Sequence, residues 1–238
     1  MTAVELKEKI VGIIGGMGPE ATVDLMSRVI KATPAKDDVD HVRMIVDNNP
    51  KVPSRIKVLI DGTGESPAPC MIDMARNLER CGADFLVIPC NTAHFYYADV
   101  AAAVSIPVIN LIDLSACTVI KNQPAIKKVG MLASTAVLKT ELYHQRFLTD
   151  DIEALFPEGR FQEDIMQLIK QVKANDVSDA LLDRFTAAAD NLLAQGAECL
   201  VIACTELSVL AEQLRTELRV YDANQLLAET IVKRVKTA

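Results

Sequence analysis

The chain has few of the residues that would announce a metal or redox centre. Its 238 residues include three histidines, at positions 41, 94 and 144, too scattered to suggest a metal site. Six cysteines are present, but no two stand at the C-x-x-C spacing of a redox dithiol or zinc knuckle. Their density is too low for a secreted disulfide scaffold, so reduced thiols are expected. No apolar run approaches the roughly 20 residues that span a bilayer, although half of the residues are hydrophobic. Met1 to Lys9 is charged and lacks the apolar stretch of a signal peptide, which predicts a cytoplasmic protein with no membrane partner. Positive charge is in deficit: the formal net charge of −7 argues against nucleic acid, whose binding needs a basic footprint. An anionic ligand would then need a local cationic cluster. The dinucleotide fingerprint is also missing. Gly12, Gly15, Gly16 and Gly18 run G-x-x-G-G-x-G with no ribose-binding acid behind them, which predicts a tight substrate-side loop.

What is present is a pattern written twice. Cys81-Gly82-Ala83-Asp84-Phe85-Leu86-Val87-Ile88-Pro89-Cys90 returns as Gln195-Gly196-Ala197-Glu198-Cys199-Leu200-Val201-Ile202-Ala203-Cys204. Upstream, Lys9-Ile10-Val11-Gly12-Ile13-Ile14-Gly15 is echoed by Lys127-Lys128-Val129-Gly130-Met131-Leu132-Ala133. Each copy of the first pattern delivers a cysteine from the end of a buried apolar run.

Short apolar runs at 10–14, 42–46, 85–88, 106–110, 129–132 and 200–203 read as strands. Helical spacing covers 20–31, 68–80, 181–193 and a segment marked by Ile165, Leu168, Ile169 and Val172. This alternation predicts an α/β fold: two similar α/β domains, each a parallel sheet with helices on both faces. The expected division assigns 1–112 plus a returning segment of about 222–238 to the first domain, carrying Cys90, and 113–221 to the second, carrying Cys204. Ligands of such sheets gather beyond the carboxyl ends of the strands, where both cysteines stand.

Each cysteine also precedes an expected helix start, Cys90 before Asn91-Thr92-Ala93-His94 and Cys204 before Thr205-Glu206-Leu207. Backbone N–H groups there would favour a thiolate and could hold a carboxylate. Thr92 and Thr205 add hydroxyls, and Asn91 an amide. His94 either orients a group in the cleft or packs beside it. Cys70, Cys81, Cys117 and Cys199 have no companions of this kind and read as core or surface residues.

Four segments together resemble the aspartate/glutamate racemase family, and most of all its cofactor-independent aspartate racemases. They are Gly15-Gly16-Met17-Gly18-Pro19-Glu20-Ala21-Thr22, Asn48-Asn49-Pro50 with Pro53 and Arg55, Pro89-Cys90-Asn91-Thr92-Ala93-His94, and Cys204-Thr205-Glu206-Leu207. The resemblance runs from Val11 to about Val232. It implies pseudo-twofold-related domains with a cleft between them, a homodimer, a small acidic amino acid as substrate, and no cofactor or metal. Cys90 and Cys204 become the catalytic pair, with Cys90 taking the proton of the D form.

By the same resemblance Arg55 and Lys173 bind the distal carboxylate, with Lys170 as a substitute for Lys173. Asn91, Thr92, Thr205, Glu206, Met17 and Ser54 complete the expected substrate-binding set. Two positions depart from the family pattern: Ser54 stands where many aspartate racemases carry an aspartate, and Ala203 where a glycine is usual. Other expectations remain open: a glutamate or broad-specificity racemase, a maleate isomerase or malonate decarboxylase, or a dicarboxylate-binding dimer without turnover.

Overall fold

The computed structural model describes residues 8–174, 176 and 178–236. The first part of the chain contains strand β1 (Val11–Gly15), helix α1 (Pro19–Ala32), β2 (Met44–Asn48), α2 (Arg55–Leu59), α3 (Ala68–Arg80), β3 (Phe85–Val87), α4 (Tyr97–Ala102) and α5 (Leu111–Asn122). The second contains β4 (Lys128–Ala133), α6 (Thr135–Lys139), α7 (Leu142–Leu148), β5 (Glu153–Leu155), α8 (Arg160–Lys173), α9 (Asp179–Ala194), β6 (Cys199–Ala203), α10 (Thr205–Ser208), β7 (Arg219–Asp222) and α11 (Ala223–Lys236).

The strands form two all-parallel sheets, ordered β2-β1-β3 and β5-β4-β6-β7. Both sheets carry helices on both faces, so the central strands β1 and β6 are buried along their whole length and β4 is buried from Val129 onward, as near-continuous apolar runs require. Helix α11 packs back on the first sheet: Leu227, Ile231 and Val235 share one core with Val11, Ile13, Leu25 and Phe85.

The repeated decapeptide has a packing explanation. Gly82 and Gly196 follow α3 and α9 at φ +92° and +91°, the left-handed geometry that glycine supplies after a helix. The acid two residues later clamps the start of the neighbouring strand. Asp84 accepts from the Ile10 amide at 2.7 Å, and Glu198 accepts from the Lys127 and Lys128 amides at 2.8 Å each. Ala83 and Leu86 then press against Gly12, where a Cβ would come within 2.9 and 2.5 Å of them; Ala197 and Leu200 treat Gly130 the same way, at 3.1 and 2.7 Å. The glycines of one echo and the alanine and leucine of the other are therefore two sides of one contact, made once per half.

Several expected elements are displaced. The strand expected at 42–46 lies at Met44–Asn48, and the run at 106–110 makes only a single bridge, Val108 to Leu86, because Pro107 contributes no N–H to a ladder. Strands β5 and β7 were not expected. Both are short and carry exposed or half-exposed residues at their ends, which hides them from an apolar-run reading. Among the described residues, no helix is long and apolar enough to cross a membrane, and no three His, Cys, Asp or Glu side chains cluster as metal ligands would.

Candidate active site

Beyond the carboxyl ends of the two sheets lies a cavity of about 50 Å³ lined by Met17, Ser54, Arg55, Ile56, Cys90, Thr92, Ser134, Ile169, Lys173, Cys204 and Glu206. Eight of the ten residues expected at the site line it. The other two, Asn91 and Thr205, each follow a cysteine directly, and both are buried. The chain reaches this place from both sheets: β1 and β2 supply Met17 and the Ser54–Ile56 segment, β3 supplies Cys90, β4 supplies Ser134, and β6 supplies Cys204. Gly16 makes the first turn possible. At φ +87° it brings the chain so close to Asn49 that a Cβ would sit 2.2 Å from the Asn49 backbone.

The two thiols have different companions. Cys204 Sγ lies 3.2 Å from Glu206 Oε2 and donates to it, and Glu206 Oε1 lies 3.2 Å from Lys173 Nζ. Burial, and then the Glu206 carboxylate, push the Cys204 thiol well above its ordinary value. This corrects the expectation that a helix N-terminus would favour the thiolate there: α10 is a single turn, too little to outweigh burial and an adjacent anion. At Cys90 the following segment is a 3-10 turn, Thr92–Tyr96, in place of the expected α-helix start. Thr92 occupies the position corresponding to Glu206, and its hydroxyl lies 3.3 Å from that of Ser134 across the cleft. Ser134 was not foreseen, yet the upstream echo locates it: Ser134 follows Ala133 as Gly16 follows Gly15.

Both cations of the site hold existing contacts. Arg55 Nη1 donates to Pro53 O at 3.2 Å and Nη2 to Met17 O at 3.3 Å, while its buried Nε has no partner. Ser54 caps α2 by accepting from the Lys57 amide at 3.4 Å. Lys173 ends α8, and Asn175 of the same expected segment lies outside the described residues. Burial alone would lower the Lys173 ammonium, but Glu206 and the two thiols raise it above its usual range. Lys170 faces a different groove, with Thr135, Leu138 and Met166, so Lys173 is the lysine the fold brings to the cysteines.

Three buried polar atoms on or next to the cavity-lining residues are unpartnered: Asn91 Nδ2, Thr205 Oγ1 and Arg55 Nε. Groups of this kind cost stability unless something satisfies them; Arg55 lines the cavity, and Asn91 and Thr205 directly follow the two cysteines that line it. His94 is decided in favour of packing. Its Nε2 accepts from the Leu111 amide at 2.9 Å, which leaves the proton on Nδ1 to be donated to Cys90 O at 2.9 Å. Burial lowers its pKa to about 4, so it is a neutral strut under the Cys90 loop. The remaining cysteines are unpaired: Cys199 is buried in β6, with its thiol pushed up to about 12 by burial, Cys70 is half-buried, and Cys81 and Cys117 are exposed.

The sequence pattern of the Asp/Glu/Hydantoin racemase family matches residues 14–231. The broad specificity amino-acid racemase RacX of Bacillus subtilis is 28% identical over 228 residues, 94% of this chain and 96% of RacX. The solved structure of Picrophilus torridus aspartate racemase superposes with a TM-score of 0.83 at 30% identity, covering 96% of this chain and 94% of that one. An aspartate racemase homologue from Pyrococcus horikoshii shares the fold with a TM-score of 0.74 at 20% identity, covering 96% of this chain and 99% of that one. The two sheets, the pair of strand-end thiols and the match over nearly the whole length agree: the chain belongs to the Asp/Glu/Hydantoin racemase family.

Proposed function

We propose that this protein interconverts L- and D-aspartate by two-base 1,1-proton transfer between Cys90 and Cys204. The observation that carries the reading is that both thiols line one small cavity together with Arg55 and Lys173. Inversion at Cα needs a base on one face and an acid on the other. Cys204, whose proton is held by burial and Glu206, suits the acid; Cys90 as thiolate suits the base that receives the proton of the D form. Once that proton has moved, the reverse pair stands ready for the L form. Negative charge developing on the α-carboxylate is met by the unpartnered Asn91 Nδ2 and Thr205 hydroxyl, both buried. Arg55 offers its Nε, and Lys173 its ammonium, to the distal carboxylate. The proposal calls on no cofactor.

A specific observation favours a second reading, a broader substrate range. Ser54, Arg55, Lys173 and Glu206 also line a neighbouring chamber of about 470 Å³, whose other walls include Pro19, Pro50, Val52, Val172 and Val209. A side chain longer or less polar than that of aspartate fits such a space, and the similarity to RacX points the same way.

Proton NMR of L-aspartate in D₂O with reduced protein tests the first reading. Loss of the Cα–H signal and appearance of D-aspartate are expected. A persistent signal with aspartate beside exchange of neutral amino acids would replace it by the second reading, and no exchange with any amino acid would remove both.

A further inference from the structure

We propose that Tyr143, on a helix of the second half, is a positioning residue that fixes the Asn91 amide of the first half so that its NH₂ faces the substrate. This rests on the racemase reading above. Tyr143 is fully buried, stacked on Phe147 with ring centroids 6.1 Å apart, and packed in the core beneath β4. Its hydroxyl donates to Asn91 Oδ1 at 2.7 Å. Asn91 is 2% exposed, and the opposite end of its amide, Nδ2, has no partner.

A primary amide directly after a catalytic thiol has two orientations of nearly equal shape, one presenting two N–H donors and the other a carbonyl oxygen. Only the first stabilises a carboxylate that is gaining negative charge. A phenol fixed from behind selects it, provided that the phenol keeps its proton. Burial raises the Tyr143 hydroxyl well above its ordinary range, so it keeps its proton at neutral pH.

The bond also joins the halves. The orientation of the amide next to Cys90 depends on α7, which packs against β5 and α5 rather than against β3. An amide in the wrong orientation is a lost donor, and a misplaced donor at a reacting carboxylate costs rate more than substrate affinity. Nothing in the chain on either side of Cys90 encodes this support, because Tyr143 is remote in sequence and its partner is the side of Asn91 that faces away from substrate.

The test is a double-mutant cycle of Tyr143→Phe and Asn91→Ala, with kcat and KM for Cα–H exchange measured separately. Tyr143→Phe deletes one oxygen and is expected to lower kcat by about tenfold to a hundredfold with little change in KM. In the Asn91→Ala background the same change is expected to do nothing further, because the group it positions is gone. An unchanged kcat in Tyr143→Phe, or additive losses in the double variant, would overturn the inference.

Asn91→Asp supplies an independent arm if Tyr143→Phe fails to fold. It keeps an oxygen for the Tyr143 hydroxyl but has no N–H to present, so the folded variant, checked by circular dichroism, should lose at least as much kcat as Asn91→Ala. Wild-type activity in Asn91→Asp would equally overturn the inference. Wild-type protein that fails to exchange any amino acid would instead remove the racemase reading, so the two failures are distinguishable.

Discussion

The two halves of the molecule share a scaffold and differ in what they place beside the thiol. Gly12 with Ala83 and Leu86, and Gly130 with Ala197 and Leu200, are the same contact made twice, and Asp84 and Glu198 clamp corresponding strands. Two residues beyond the cysteine the correspondence ends. The first half has Thr92, hydrogen-bonded across the cleft to Ser134; the second has Glu206, which takes the Cys204 proton in a hydrogen bond and draws in Lys173. Proton transfer in one direction needs one thiolate and one thiol at the same moment, and two identical half-sites would hold their protons equally. Under the proposed two-base reaction, unequal companions on a repeated scaffold would separate the roles, by the same logic that separates paired carboxylates in other acid–base sites.

The strongest way to break this comparison is to remove one thiol at a time. Cys90→Ala and Cys204→Ala should each lower racemisation by about a thousandfold or more, the scale of a positioned acid–base group. The residual chemistry should be opposite in the two variants. With Cys204 gone, Cys90 can still take the proton of D-aspartate and return a deuteron to the same face, so D-aspartate exchanges without inverting. With Cys90 gone, only L-aspartate does so. NMR in D₂O combined with chiral chromatography reads both, and a variant racemising at the wild-type rate would end the two-base account.

The cations of the two halves are held differently. Arg55 is held by two backbone carbonyls and keeps a buried Nε free, whereas Lys173 is half-exposed and already paired with Glu206. Arg55→Ala should therefore raise KM for aspartate by roughly tenfold to a hundredfold, the worth of a lost charge-assisted hydrogen bond. Lys173→Ala should raise it less. Steady-state kinetics with aspartate and alanine side by side would show whether the loss is confined to the acidic substrate. Equal losses for both amino acids would mean that Arg55 supports the loop and does not read the side chain.

Glu206→Gln sharpens the difference between the thiols themselves. Because the Glu206 carboxylate raises the Cys204 thiol, its neutral isostere should shift the pH dependence of Cys204 alkylation to lower pH. Iodoacetamide labelling followed by peptide mass spectrometry measures both cysteines in one sample, and an unmoved Cys204 profile would show that burial alone holds its proton.

How far the sequence disclosed this arrangement varies by element. The alternating architecture, the central strands and the two thiols were legible because each rests on a local pattern: a buried apolar run, a helical periodicity, a motif repeated with few changes. Strands β5 and β7 were not, since short strands with exposed ends carry no continuous apolar signal. The same limit explains the residues that were missed. Ser134 was within reach of the upstream echo, but Ile56, Ile169 and Tyr143 enter the site region through tertiary packing that no local spacing records. Cys204 illustrates a different limit. The expected helix start is there, as one turn, yet the balance between a helix end, burial and a carboxylate 3.2 Å away is a question of distances.

The smallest predicted effect concerns how each cysteine loop is anchored. The end of α10 is secured from the first half by Arg28 of α1, which donates to Ser208 O at 2.6 Å and pairs with Asp222, itself accepting from the Ser208 hydroxyl at 2.5 Å. The first half relies on His94, a neutral imidazole between Cys90 O and the Leu111 amide. With a folded pKa of about 4 against 6.5 when unfolded, His94 binds its proton more readily in the unfolded chain throughout that interval. Stability from this group is therefore complete above pH 6.5 and declines as pH falls towards 4. Between pH 7 and pH 5.5 the loss should be about 1 kcal/mol, enough to resolve in urea unfolding. His94→Gln can accept and donate but cannot titrate, so although less stable at neutral pH it should lose less over the same interval. Equal slopes in the two proteins would assign the acid sensitivity to carboxylates and leave the anchors of the two halves alike in their response to pH.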